Sequence, residues 1–329
     1  MDLSVLYFIV QQMMFFSIPL LIVALGGMFS ERSGIVNIAL EGIMIIGAFA
    51  GVLFVYLVQR VGGSTFPAQL LLLIALVIAA ISGAIMSLPH AYASIQMKAN
   101  QVISGTAINM LAPALAIYIT RLVRYANDNK AVQQIPIQNV FRIQSVPILG
   151  DIPIIGPLFF QNTYITTYLG ILILVVSWLV LYKTPFGLRL RACGEHPQAA
   201  DSVGINVYKM RYVGVLISGV LAGLGGLVFV IPTTAEYDAT VAGYGFLALA
   251  VLIFGQWKPW RILLAAFFFG LMKTISVAHT SIAFLNSLGL PGAVYKMIPY
   301  IATLIALAFT SRRSQAPKAS GVPYDKGSR

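Results

Sequence analysis

The sequence predicts an all-α fold, a polytopic transmembrane helical bundle of about 8–10 spans, and three observations carry that expectation. Mean hydropathy is +0.88 over a chain of 329 residues. Apolar runs of roughly 20 residues, the length a helix needs to cross a bilayer core, recur throughout. Only 9% of residues are charged, while glycine, which lets helices approach closely in lipid, occurs 29 times.

The runs give candidate spans at 6–28, 35–58, 68–88, 102–123, 165–182, 212–232, 239–256, 261–279 and 293–310. The first has no basic stretch before it and is long enough to be a span rather than a cleavable leader. The second opens GIVNIALEGIMIIGAFAGV, which puts Asn37 and Glu41 one turn apart on one face of a continuous helix. A carboxylate facing hydrocarbon is expensive, so Glu41 should meet protein, water or a helix terminus. Gly47 and Gly51 form a small-residue stripe on this span, and Gly219, Ala222, Gly223 and Gly226 form another on the sixth; close helix packing accounts for both. Ser33-Gly34-Ile35 and Ser202-Val203-Gly204-Ile205 each precede a span, a hint of an internal repeat.

The connections set the orientation. Residues 183–211 carry Lys183, Arg189, Arg191, Lys209 and Arg211 against Glu195 and Asp201. Short Lys/Arg-rich loops stay cytoplasmic, which places the N-terminus outside and the C-terminus inside. The 258–261 turn and the tail's Arg312, Arg313, Lys318, Lys326 and Arg329 then fall inside as well. Within 183–211, Pro197 suits the first turn of a short helix, continued by Gln198, Ala199, Ala200, Asp201 and Val203 and stopped by Gly204. The outer loop, 124–163, carries Arg124, Lys130 and Arg142 on the less expected side, partly offset by Asp128 and Asp151. Its Pro136, Pro147, Pro153 and Pro157 forbid a long helix and favour extended pieces, as a docking platform, a cap or a packed connector. The chain divides into a membrane domain, 1–311, and a basic, disordered cytosolic tail, 312–329.

Composition excludes several chemistries. The formal charge of +11 is explained by loops anchored at the inner leaflet, with no nucleic-acid partner. Cys193 is the single cysteine, so no intrachain disulfide or thiolate cluster exists, and His90, His196 and His279 have no metal-ligand spacing. No G-x-x-x-x-G-K-[ST] loop is present to cradle ATP, and no G-x-S-x-G elbow. Glu236 and Asp238 read as solvated loop carboxylates. What remains is a transport protein that draws its energy from elsewhere, not an enzyme.

Three stretches then carry a resemblance: SERSGIVNIALEGIMIIGAFAGV, TPFGLRLRACGEHPQAADSVGINVYKMRYVGVLISGVLAGLGG and AGYGFLALAVLIFGQWKPWRILLAAFFFG. Together they resemble the permease subunits of bacterial ABC importers, in the superfamily serving simple sugars, branched-chain amino acids and nucleosides. The ERSG-x-VNI-x-LEG opening, Asn100-Gln101 and ISG-x-x-AGLGG are most similar to the nucleoside type. The resemblance implies the ABC importer permease fold in the bacterial cell membrane, beside a second homologous permease and an extracellular substrate-binding lipoprotein. It also implies an ATPase subunit that holds the ATP and Mg. By the same resemblance 194–204 is the coupling element seated on that ATPase: Gly187 and Arg189 lead into Gly194, Glu195, His196, Pro197, Ala199, Ala200, Asp201 and Gly204. Glu41 and Asn37 take a structural or gating role.

An uncharged nucleoside offers a ring for stacking and hydrogen-bonding edges. Phe15, Phe16, Gln11, Gln12, Asn109, Tyr244 and Phe246 are the candidates at membrane depth for the translocation path. A simple-sugar permease is the alternative, and an ion-coupled secondary transporter a third reading; the latter would show a clearer embedded acid relay than Glu41 alone.

Overall fold

The computed structural model describes residues 3–62, 67–129, 132–137, 140–280, 285, 287–310 and 316–327. The helices are α1 Leu3–Ser33, α2 Leu40–Gly62, α3 Ala68–Ile95, α4 Gln101–Asp128, α5 Ile165–Lys183, α6 Pro185–Glu195, α7 Pro197–Ser202, α8 Val207–Thr233, α9 Tyr244–Phe254, α10 Pro259–Ala278 and α11 Gly292–Thr310. Among the described residues seven of them, α1 to α5, α8 and α10, are long and apolar enough to cross a membrane. Among the described residues the remaining elements are a π-helical turn, Gly156–Phe160, and two short antiparallel pairs: β1 (Ile135–Pro136) with β4 (Glu236–Tyr237), and β2 (Ile143–Ser145) with β3 (Gln161–Thr163).

Small residues decide which helices form the centre. A side chain at Gly47 on α2 would collide with the backbone of Gly223 on α8, and one at Gly223 would collide with Ala79 and Gly83 on α3. The two expected stripes therefore face each other, and α3 joins them. Without a hydrophobic gradient inside a bilayer, this backbone-to-backbone approach is what gives helices enough van der Waals contact to associate. On another side of α8 runs α1, whose Leu20, Leu21, Ile22, Val23, Ala24 and Leu25 are all fully buried.

The expected span 239–256 is not one helix. Only α9 is helical, 11 residues long, or about 16 Å against a ~30 Å core. The stretch before it is extended, pinned where Tyr237 donates from its hydroxyl to the Ile45 carbonyl at 2.7 Å. Left-handed backbone at Ala239, Ala242 and Gly243 keeps it from coiling. The uniform hydropathy of the run hides this break.

The second span also starts later than its apolar run. Gly34 takes φ +101 and residues 35–37 are non-helical, so Asn37 does not share a helical face with Glu41. Asn37 instead accepts from Ala39 N–H at 3.1 Å and donates to Ser218 Oγ at 2.9 Å. A related plan recurs at the second Ser/Gly/Ile site: Gly204 takes φ +85 and Asn206 accepts from Lys209 N–H at 2.9 Å before α8. The loop expected over 124–163 is shorter, because α4 continues to Asp128. Arg124 is thus helical, and it and Arg60 both pair with Asp128, which Tyr56 also hydrogen-bonds at 2.8 Å. Lys130 lies outside the described residues.

The tail differs most. Arg312, Arg313 and Arg329 lie outside the described residues, but 316–327 are not a free coil. Ala319 N–H bonds to Gly194 O at 2.9 Å and Gly321 N–H to Gly34 O at 3.1 Å, and Tyr324 is buried. Its polar, Pro- and Gly-containing composition suggested disorder; docking on formed structure supplies partners that composition cannot show.

Candidate functional site

One end of the bundle collects the residues expected to couple it to a partner. Thr184 caps α6 by accepting from Gly187 N–H at 3.2 Å, and Pro185 starts its first turn. Gly187 packs so closely on the Val180 and Leu181 carbonyls that no side chain fits there. After a break at His196, Pro197 opens α7 as expected, and Gly204, at φ +85, ends the turn with its N–H on Asp201 O at 2.9 Å. Arg189, His196 and Ala199 are exposed, Glu195 and Asp201 half-buried, and Gly194, Pro197 and Ala200 buried. The last group packs the hairpin and the first is free for a partner. An open groove of about 630 Å³ flanks the hairpin, lined by Phe186, Leu188, Arg189, Val203, Ile205 and Lys209 among others. Leu188 and Val203 are 63% and 75% exposed on its rim.

The hairpin is joined to the spans through residues that sequence reading did not single out. Gly194 sits against the Arg32 carbonyl at the end of α1, and the Arg32 guanidinium lies 3.7 Å from Glu195. Arg32 also donates to the Trp257 carbonyl at 3.0 Å, while the Trp257 indole N–H donates to Glu31 at 2.6 Å. The end of α1 therefore holds both the hairpin and the α9–α10 turn. Glu31 and Arg32 in SERSG were visible as charges, but their partners lie more than 160 residues away.

The tail lies across the same face. Arg211, at the start of α8 and 1% exposed, donates to Val322 O at 3.1 Å and stacks near the Tyr324 ring. Tyr324 also packs on Tyr208, and Lys326 pairs with Asp201 on α7 at 3.8 Å. Asp325 pairs with Lys98 at 2.7 Å, which holds the carboxyl below and the ammonium above their ordinary ranges. Beneath the tail, burial pushes the Cys193 thiol up to about 11, against the opposing pull of Arg211. The thiol is inert.

The second constellation is the break ahead of α9. Glu41 accepts from Gly243 N–H at 2.9 Å and from Gly245 N–H at 2.6 Å. The first N–H groups of a helix have no intrahelical partners and form its positive end, so a carboxylate from α2 satisfies them from outside. Glu41 is thus the cap of a half-helix, the helix-terminus role among its expected environments.

The expected path residues do not converge. Asn109 accepts from Gly42 N–H at 2.8 Å and donates to Ile38 O at 2.9 Å, fixing the non-helical lead into α2. Phe15 packs edge-on to Tyr164, Gln11 bonds Pro157 O at 2.7 Å, and Gln12 is half-buried. Phe16 and Phe229 pack on Tyr244, whereas Phe246 is exposed. Asn109, Phe15 and Gln11 each make contacts within the fold, while Tyr244 and Phe246 lie in the first turn of α9, beside the break.

Comparison with known proteins agrees with this architecture. Residues 9–307 match the family described as branched-chain amino acid transport system / permease component. The guanosine ABC transporter permease protein NupQ of Bacillus subtilis is 45% identical over 327 residues, covering 99% of each chain. The nucleoside ABC transporter permease protein NupC of Lactococcus lactis is 40% identical over 98% of each. A second Bacillus subtilis protein, the guanosine ABC transporter permease protein NupP, is 28% identical over 78% of this chain and 70% of its own. No solved structure matches. With nearly the whole bundle matched, this multi-pass membrane protein belongs to the branched-chain amino acid transport system permease family.

Proposed function

We propose that the chain is one membrane-spanning permease subunit of an ATP-driven importer of nucleosides, with the α6–α7 face turned to the cytosol. The observation that carries this reading is a helical hairpin, basic and partly exposed, clamped to α1 at Gly194 and Glu195 in a chain without a phosphate-cradling loop. A rigid contact of this kind passes displacement from an ATPase subunit into the spans, because packed helices move as bodies. ATP and Mg bind on that subunit.

The relatives supply the solute class: two proteins 40% and 45% identical over nearly full length are named for nucleosides or guanosine. A second, more distant permease named for guanosine in the same organism as the first supports pairing with a sister permease. An extracellular binding lipoprotein completes the assembly and selects the solute. A protein 29% identical is named as a putative glucose permease, which makes sugar the alternative cargo. The test is ATP-driven uptake in vesicles reconstituted with the neighbouring ATPase, permease and lipoprotein. Saturable guanosine or adenosine uptake supports the reading; uptake of glucose alone, or ATP hydrolysis by this chain in isolation, overturns it.

A further inference from the structure

We propose that two tandem turns over 146–156 form an apolar knob that embeds in the lipid leaflet at the end of the bundle opposite the α6–α7 hairpin. Such an anchor requires only that the chain span a membrane, whatever solute it carries.

Val146-Pro147-Ile148-Leu149-Gly150 and Ile152-Pro153-Ile154-Ile155-Gly156 repeat one pattern, and both copies fold alike. In each, the N–H after the central isoleucine reaches back to the proline carbonyl at 2.8 Å, Leu149 to Pro147 and Ile155 to Pro153. The glycine N–H then bonds the first carbonyl of its copy, Gly150 to Val146 and Gly156 to Ile152, also at 2.8 Å. Ile148 and Ile154 both take φ +68, a left-handed backbone that a β-branched residue adopts only under strain. A side chain at Gly156 would collide with the Gly150 carbonyl, so one turn stacks on the other.

Strained backbone of this kind persists where its surroundings impose it, and it clusters where it serves a function. Here it drives two isoleucines outward, 83% and 59% exposed, with Leu149, Ile152, Ile155 and Phe159 exposed around them. Gln11 on α1 donates to the Pro157 carbonyl at 2.7 Å. From Gln11 to Arg32, which holds the hairpin, α1 rises about 31 Å, the thickness of a hydrocarbon core. The turns therefore lie level with the far membrane boundary. They also continue the exposed apolar side of the α5 span. Tyr168 donates to the Phe159 carbonyl at 3.0 Å and stacks on Phe160, and Leu172, Val176 and Leu179 follow along the same helix.

The backbone suits this position. Lipid offers no hydrogen bonds, so a segment lying against it needs its polar groups closed internally. Pro147, Pro153 and Pro157 carry no N–H, and those of Val146, Leu149, Gly150, Ile155, Gly156 and Leu158 all bond within the loop. Asp151, between the turns, is the single charged residue from Ile143 to Tyr182. It keeps the knob at headgroup depth, where its carboxylate stays hydrated.

The test places single spin labels on Ile148→Cys and Ile154→Cys, in the complete transporter and in this chain alone, both in lipid vesicles. Collision with oxygen, which concentrates in lipid, is compared with collision with a water-soluble nickel chelate. Leu172→Cys and Val322→Cys in the chain alone serve as the lipid and water references, and the buried Cys193 adds little background. At both turns the oxygen-to-chelate ratio should rise to that of Leu172→Cys in both preparations. A ratio equal to that of Val322→Cys overturns the proposal. So does loss of both collisions when the transporter assembles, which assigns the turns to a protein partner. Ile148→Trp and Ile154→Trp give a readout that needs no label: lipids brominated on the upper acyl chain should quench the added fluorescence. Quenching no greater than in the parent chain overturns the proposal as well.

Discussion

Glu41 Oε2 accepts a 2.6 Å hydrogen bond from the backbone N–H of Gly245, a residue 204 positions away. The approach is so close that a side chain at Gly245 would collide with the Glu41 backbone. The carboxylate replaces the turn of helix that α9 lacks at its buried end.

Glu41→Gln keeps one acceptor oxygen and turns an amide donor toward a backbone N–H. It should destabilise the protein by about 1–3 kcal/mol, the range for leaving a buried donor unpaired. Uptake of guanosine and adenosine should fall in the same proportion, because the carboxylate is already engaged by the N–H groups of Gly243 and Gly245. Thermal unfolding in detergent and parallel uptake assays check this; altered preference between the two nucleosides would contradict it.

Gly223→Leu should separate α8 from α3, since the backbones of Ala79 and Gly83 occupy the space a side chain needs. Overpacking of this kind typically costs about 1–3 kcal/mol. The expected result is a lower unfolding temperature and poorer recovery from the membrane, and an unchanged unfolding temperature would count against the three-helix centre.

Ala199 and Ala200 are adjacent but not equivalent. Ala199 is exposed, whereas Ala200 is 3% exposed and part of the core under α7. Ala199→Trp should leave the chain stable and membrane-inserted while uptake fails, either through weakened ATPase binding or through hydrolysis uncoupled from transport. Ala200→Trp should lower the stability of the chain itself. Normal uptake in Ala199→Trp would move the ATPase contact elsewhere, for example to the α9–α10 turn.

Tail docking should depend on pH through Lys98 and Asp325. Asp325 is depressed, so its contribution is present above the undocked pKa and is lost as pH falls through the lower docked value. Lys98 is raised, so its contribution is present below its undocked pKa and is lost as pH rises through the higher docked value. Protease protection of the tail around Lys318 should therefore be flat between about pH 4 and about pH 10 and weaken outside that window. Asp325→Asn should remove this dependence.

Sidedness can be read with a single thiol. Cys193 is buried with its pKa pushed to about 11, so it adds little background. A cysteine at Val322, 52% exposed, should react in intact cells with membrane-permeant reagents only. Labelling by an impermeant reagent would put the α6–α7 face outside.

By itself the sequence determined the helical class, the number and order of the apolar runs, the basic end of the bundle, and the α7 turn bounded by Pro197 and Gly204. These are local or compositional properties: hydropathy needs no partner, proline and glycine act through their own backbone, and Lys/Arg counts depend only on where a loop falls. Tertiary structure decided that 239–256 crosses as an extended piece and a half-helix, because the Glu41 and Ile45 groups that satisfy its backbone come from α2. It also placed Asn37 as a cap against Ser218 and laid 316–327 over Arg211. Buried backbone and charged groups must find partners, and here those partners are distant in sequence, so no local pattern announces them.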